Sequence, residues 1–183
     1  MDAGIAAVCG ALAGAVATVG ASFATGRSQR EGARIAARTE HQRQRREKRE
    51  PAYSELIDAA NALRQATGML WPFYEPGGSS GFTPERLDAY RDCVKRLQAA
   101  WKDVHLAGPK AVSIPATRIK KAAESTQWAV TMLEFYKTRT EIPGAQQERE
   151  IHALALAEAI MEIVDLIPEF ADLAQEALDD AGV

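Results

Sequence analysis

Between Gly4 and Thr25 the chain runs for 22 residues without a charged side chain, then meets arginine at positions 27, 30, 34 and 38. No other feature narrows the possible folds so far. A helix of that length is about 33 Å long, enough for a bilayer core of about 30 Å. Within the run, Ile5, Val8, Leu12, Val16, Val19 and Phe23 recur at intervals of three or four and share one side of a helix. Gly10, Gly14 and Thr18 fall on the opposite side. Two such helices would approach closely across that flat face, although a Gly/Ala-rich chain also produces the spacing by chance.

Three readings compete. A cleaved signal peptide needs a basic start, and only Met1, Asp2 and Ala3 precede the run. A buried soluble helix is possible, but 22 uncharged residues are long for one. The expectation is a single transmembrane anchor over residues 1–26. Arg27, Arg30 and Arg34 would lie at the membrane surface, and their position predicts an outside N-terminus and a cytoplasmic body.

Residues 27–50 carry a net charge of +5 and residues 51–183 one of −7. The first stretch, RSQREGARIAARTEHQRQRREKRE, favours helix and is polar all round beyond Ala37, which predicts a basic helical connector. It could bind anionic lipid or nucleic acid. An upright helix would hold Arg43 about 24 Å beyond Arg27, several Debye lengths away, and no aromatic residue is interleaved for base stacking. The acidic body also argues against nucleic acid as the main ligand.

Residues 51–183 show four helical patterns. Tyr53, Leu56, Ile57, Ala60, Leu63 and Ala66 mark the first, which stops before WPFYEPGGSSGFTP. Thr83 as N-cap, Pro84 and Glu85 open the second, whose stripe Leu87, Tyr90, Val94, Leu97, Trp101, Val104 alternates three and four. The third is expected from about Ile114–Pro115 to Thr138, with Ile119, Ala122, Thr126, Val130 and Leu133 as its core face. The fourth runs from about Gln146 to Asp180, with Leu156, Ile160, Ile163, Val164, Ile167, Ala171, Ala174 and Leu178 on one side and Pro168 as a kink. The fold class is all-α: an anchor, a connector and a four-helix-bundle-like body.

Candidate chemistry is sparse. Glu158, Glu162, Asp165, Glu169 and Asp172 lie opposite the expected core stripe and no Glu-x-x-His occurs, so a di-metal bundle is not expected. His41, His105 and His152 are isolated, and Cys93 has no histidine nearby in sequence to activate it. Gly77–Gly81 lacks the Lys-Ser/Thr of a phosphate loop. No catalytic residue, metal or cofactor is expected. One feature points to binding. Trp128, Met132 and Phe135 form a second apolar stripe on the far side of the third helix. Such a stripe is covered either by the chain itself, through the WPFY loop or the first helix, or by a protein partner, a second copy included.

The start of the chain, an Ala/Gly anchor followed by GRSQREGARIAARTEHQRQRREKREPAYSELIDAANALRQ, resembles that of uncharacterised small membrane-anchored helical proteins of actinobacteria. The likeness covers about the first 65 residues and is largely compositional. It implies a membrane location and a bacterial host, and carries no activity or functional residues. The expected function is protein–protein interaction or scaffolding at the membrane. The alternative is an anionic-lipid or nucleic-acid surface binder acting through residues 27–50.

Overall fold

The computed structural model describes the backbone of residues 2–70, 82–137, 139 and 141–179, and the side chains of those from residue 29 onward. Among the described residues the regular elements are all helices: α1 (Asp2–Leu70), α2 (Pro84–Ala107), α3 (Lys110–Lys137) and α4 (Ala145–Asp179). The all-α expectation is met. The chain divides into two compact units, Met1–Gln44 and Arg45–Val183.

In the first unit the uncharged run, with Gly10, Gly14, Thr18 and Arg27, lies outside the residues whose side chains are described. Among the described residues, no helix is long and apolar enough to cross a membrane. From Gln29 to Gln44 the side chains are exposed apart from half-buried Gln42, Ile35 at 60% included, and beyond Ala37 the helix is polar on every face. Arg30, Arg34, Arg38 and His41 fall on one side of it. Glu40 sits away from that row and accepts a hydrogen bond from Gln44 at 3.1 Å.

In the second unit the four helices run alternately up and down. At one end Arg86 donates to the Met69 carbonyl (3.1 Å) and Lys137 to the Phe82 carbonyl (3.1 Å), which brings together the end of α1, the start of α2 and the end of α3. At the other end the Arg49 guanidinium donates to the carbonyls of Ala107 (2.9 Å) and Ala177 (3.5 Å), the last turns of α2 and α4. A cation there meets the negative ends of two helix dipoles at once. Each neighbouring pair is tied at its groove: α1–α2 by Arg96 and Glu55 (2.6 and 3.0 Å), α2–α3 by Arg91 and Glu134 (3.3 Å), α3–α4 by Arg118 and Glu169 (3.0 Å). The fourth groove closes on Tyr53 and Phe170, edge to face at 5.9 Å. Exposed ion pairs contribute little energy. Their value lies in fixing which residues stand level across each groove.

All four helices feed one core, in which Leu56, Leu63, Tyr90, Leu97, Ile119, Leu133, Ile163 and Phe170 are at most 1% exposed. Burying an apolar side chain of this size stabilises by about 1.5–3 kcal/mol before entropy is counted. Inside the core, Thr126 donates to the Ala123 carbonyl (2.8 Å) and lies 2.8 Å from the Tyr90 hydroxyl.

Three details differ from the sequence reading. Helix α3 begins at Lys110, ahead of Ile114–Pro115, and Pro115 sits in its second turn. Only one backbone bond is forfeited so near a helix start, and burial of Val112, Pro115 and Ala116 compensates. The buried face of α4 is turned by about 65° from the expected one. It is lined by Leu156, Ala159, Ile163, Leu166, Phe170, Ala174 and Ala177, because the bulky Phe170 ring takes the centre and leaves Ile160 and Ile167 at the rim. Trp101 is half-buried, with Ala100 in the core beside it. The indole N–H finds the Thr117 hydroxyl at 3.2 Å and Lys120 lies over the ring, so Trp101 closes the α2–α3 groove from outside.

A candidate interaction face on helices α3 and α4

The second stripe of α3 faces outward. Trp128 is 63% exposed, Phe135 is 37% exposed and Met132 is half-buried. Helix α3 places them there because Thr126, Val130 and Leu133 hold the opposite side in the core. The Arg139 guanidinium stacks over the Phe135 ring at 4.2 Å, and Tyr136 meets that ring edge-on at 5.1 Å. Tyr136 also stacks on His152 of α4 (5.9 Å), whose Nε2 lies 3.8 Å from Glu148. The aromatic row therefore borders α4 directly.

On α4 the structure adds residues the sequence reading passed over. Ile151, Leu154 and Met161 are 50%, 63% and 58% exposed. They share the outward side with Glu158 and Asp165, also exposed. The five carboxylates expected at the solvent are all exposed, and Glu169 pairs with Arg118. The stretch IHALALAEAIM (151–161) is apolar on nearly every side, so the exposure of these residues becomes visible only when the core face of α4 is known.

The remaining polar groups do not converge. Among the described residues, no three His, Cys, Asp or Glu are grouped to hold a metal ion. His41 is exposed and His105 stacks on Trp101 at 5.4 Å. The Cys93 thiol is half-buried, and burial pushes its pKa up, which disfavours the thiolate. An open groove of about 620 Å³ lies between α1 and α2, where Lys48, Asp103 and Glu55 rim Pro51, Ala52, Leu106 and Ala107. Glu55 is held by Arg96, whose hydrogen bonds keep its carboxyl below the usual range. That leaves one cation and one anion with no positioned nucleophile or base. Arg30 and Arg34 are exposed.

Comparison with protein-family models, curated proteins and solved structures finds no match to this chain.

Proposed function

We propose that the chain is a single-pass membrane protein, N-terminus outside, whose cytoplasmic helical bundle binds another protein through the α3–α4 face. The observation that carries the binding reading is the exposure of Trp128 at 63%, in a row with Phe135 and Met132. A large aromatic left in water within an apolar row is the usual form of an interface anchor. The location rests on the uncharged run from Gly4 to Thr25, and the orientation on Arg27, Arg30 and Arg34 after it. The role is binding or scaffolding, and no catalytic step is assigned.

The test uses full-length protein in its host membrane. It should remain in the membrane pellet through high salt and alkaline carbonate, and protease added outside intact cells should leave residues 51–183 uncut. Release by carbonate overturns the anchor, and cleavage from outside overturns the orientation. A photo-crosslinker at position 128 should trap a protein and one at exposed position 95 should not. Equal trapping at both positions, or none at 128, overturns the binding face.

A second reading has its own observation. Arg30, Arg34, Arg38 and His41 form one exposed basic row, suited to an anionic lipid surface or a nucleic acid backbone. Binding led by this row would weaken steeply with salt. Binding led by Trp128 would not.

A further inference from the structure

We propose that the partner of the α3–α4 face is a second copy of this chain, paired about a two-fold axis parallel to the bundle helices. This rests on the reading of that face as a protein-binding surface.

The two helices of the face carry opposite charges around similar apolar rows. On α3 and just beyond it, Trp128, Met132 and Phe135 are bracketed by two cations, Lys121 and Arg139, while Glu124 on the same side is paired with Lys120 at 2.8 Å. On α4, Ile151, Leu154 and Met161 alternate with Glu158 and Asp165. Neither Lys121 nor Asp165 has a carboxylate or cation within ion-pair distance among the described residues, and Arg139 has the Phe135 ring. A partner for this face must offer acids opposite α3 and bases opposite α4, each beside exposed apolar side chains. The face itself has that pattern.

Geometry makes the match specific. Within one bundle Arg118 stands level with Glu169, and Tyr136 with His152. Equal rise along antiparallel helices then sets Trp128 level with Met161, Phe135 with Leu154 and Lys121 with Asp165, each to within one or two residues, about 3 Å or less. A two-fold axis along the bundle places α3 of one copy against α4 of the other and preserves these levels. Trp128 then meets the partner's Met161, Phe135 the partner's Leu154, and Lys121 the partner's Asp165, each contact occurring twice as an isologous interface requires. Perpendicular two-folds would reverse one copy end for end. The parallel axis leaves residue 45 of both chains at the same end, as two chains anchored in one membrane need.

Full-length chain in mild detergent is followed by sedimentation velocity from about 1 to 100 µM, the range in which a face of modest size associates. The expected result is a monomer–dimer equilibrium. Trp128→Asp should abolish the dimer with helicity and melting temperature unchanged. Lys121→Glu should weaken it about tenfold, and adding Asp165→Lys should restore most of that loss. A wild type that stays monomeric overturns the proposal. So does a dimer that survives Trp128→Asp, as pairing through Gly10 and Gly14 would give, or a charge swap that restores nothing. Unfolding by Trp128→Asp also overturns it, because a segment of the same chain then covers that side chain. A monomeric wild type whose crosslinker at position 128 still traps a protein of different mass overturns the second copy alone and leaves the binding face standing. No crosslink at all overturns both.

Discussion

The hydroxyls of Tyr90 and Thr126 meet at 2.8 Å in the middle of an otherwise apolar bundle. Thr126 spends its proton on the Ala123 carbonyl, so Tyr90 is the donor and Thr126 the acceptor. Thr126→Val should leave the buried phenol without a partner and cost about 1–3 kcal/mol. Thr126→Ser, which keeps the acceptor, should cost less. Combining Tyr90→Phe with Thr126→Val should cost less than the two single changes added together, measured by urea unfolding.

Burial pushes the Tyr90 phenol up to about 12, against the lowering effect of the Thr126 hydroxyl. The unfolded chain loses this proton near pH 10 while the folded chain keeps it, so stability falls as pH rises from 10 to 12. The loss attributable to Tyr90 should approach about 2–3 kcal/mol across that window. Burial raises Tyr53 as well, with the same sign. Tyr90→Phe should flatten the decline relative to wild type in chemical denaturation at stepped pH. An unchanged slope would remove Tyr90 as its source.

At the base of the bundle a glycine and a tyrosine share one space. A Cβ at Gly108 would lie 2.9 Å from the Val104 carbonyl and 3.1 Å from the Tyr53 hydroxyl. The Val104 carbonyl already accepts the Gly108 N–H at 2.8 Å and cannot retreat cheaply. Gly108→Ala should therefore destabilise by about 1–3 kcal/mol. The Tyr53 hydroxyl is buried without a hydrogen-bond partner among the described residues, so Tyr53→Phe should be neutral or stabilising. In that background Gly108→Ala should cost less, because one of its two clashes has gone. Thermal melting of the four proteins gives the coupling directly.

Arg49→Met keeps the aliphatic stem and removes the charge from the ends of α2 and α4. The expected cost is about 1–2 kcal/mol. Arg49→Lys should recover only part of it, since one ammonium lacks the fork that spans both carbonyls. Urea midpoints at constant m-value are the measure, and equal midpoints for all three proteins would show that the two bonds contribute nothing.

How much of this was legible depends on the element. Helix α2 was almost fully written in the chain: Thr83 caps it, its hydroxyl accepting from the Arg86 N–H at 3.4 Å, and five of the six stripe residues are buried. The start of α3 was misplaced because Pro115 reads as a boundary, whereas packing of Val112 and Ala116 carries the helix through it. On α4 a dense run of isoleucines drew the expected face away from Phe170, and only contact with Tyr53 settles the rotation. Trp128 and Phe135 were visible as a second stripe on α3. Ile151, Leu154 and Met161 were not, because IHALALAEAIM (151–161) is apolar on nearly every side with Glu158 as its one acid, so no second stripe stands out from the first. The levels that relate the two rows come from cross-helix contacts such as Arg118–Glu169, and no periodicity within one helix encodes those.

Arg49 and Ala177 are 128 residues apart along the chain. At about 5–20 residues per second, the arginine emerges about 6 to 26 s before the carbonyl it will hold. Tyr53 waits almost as long for Phe170. Over the last 40 residues of that interval, from Lys137 to Ala177 and about 2 to 8 s, α1, α2 and α3 are complete but the side of the core where Tyr53 awaits Phe170 has no cover. Nascent chains of this protein thus pass through a period in which one side of their apolar core is open to any neighbour, and the last helix made ends it.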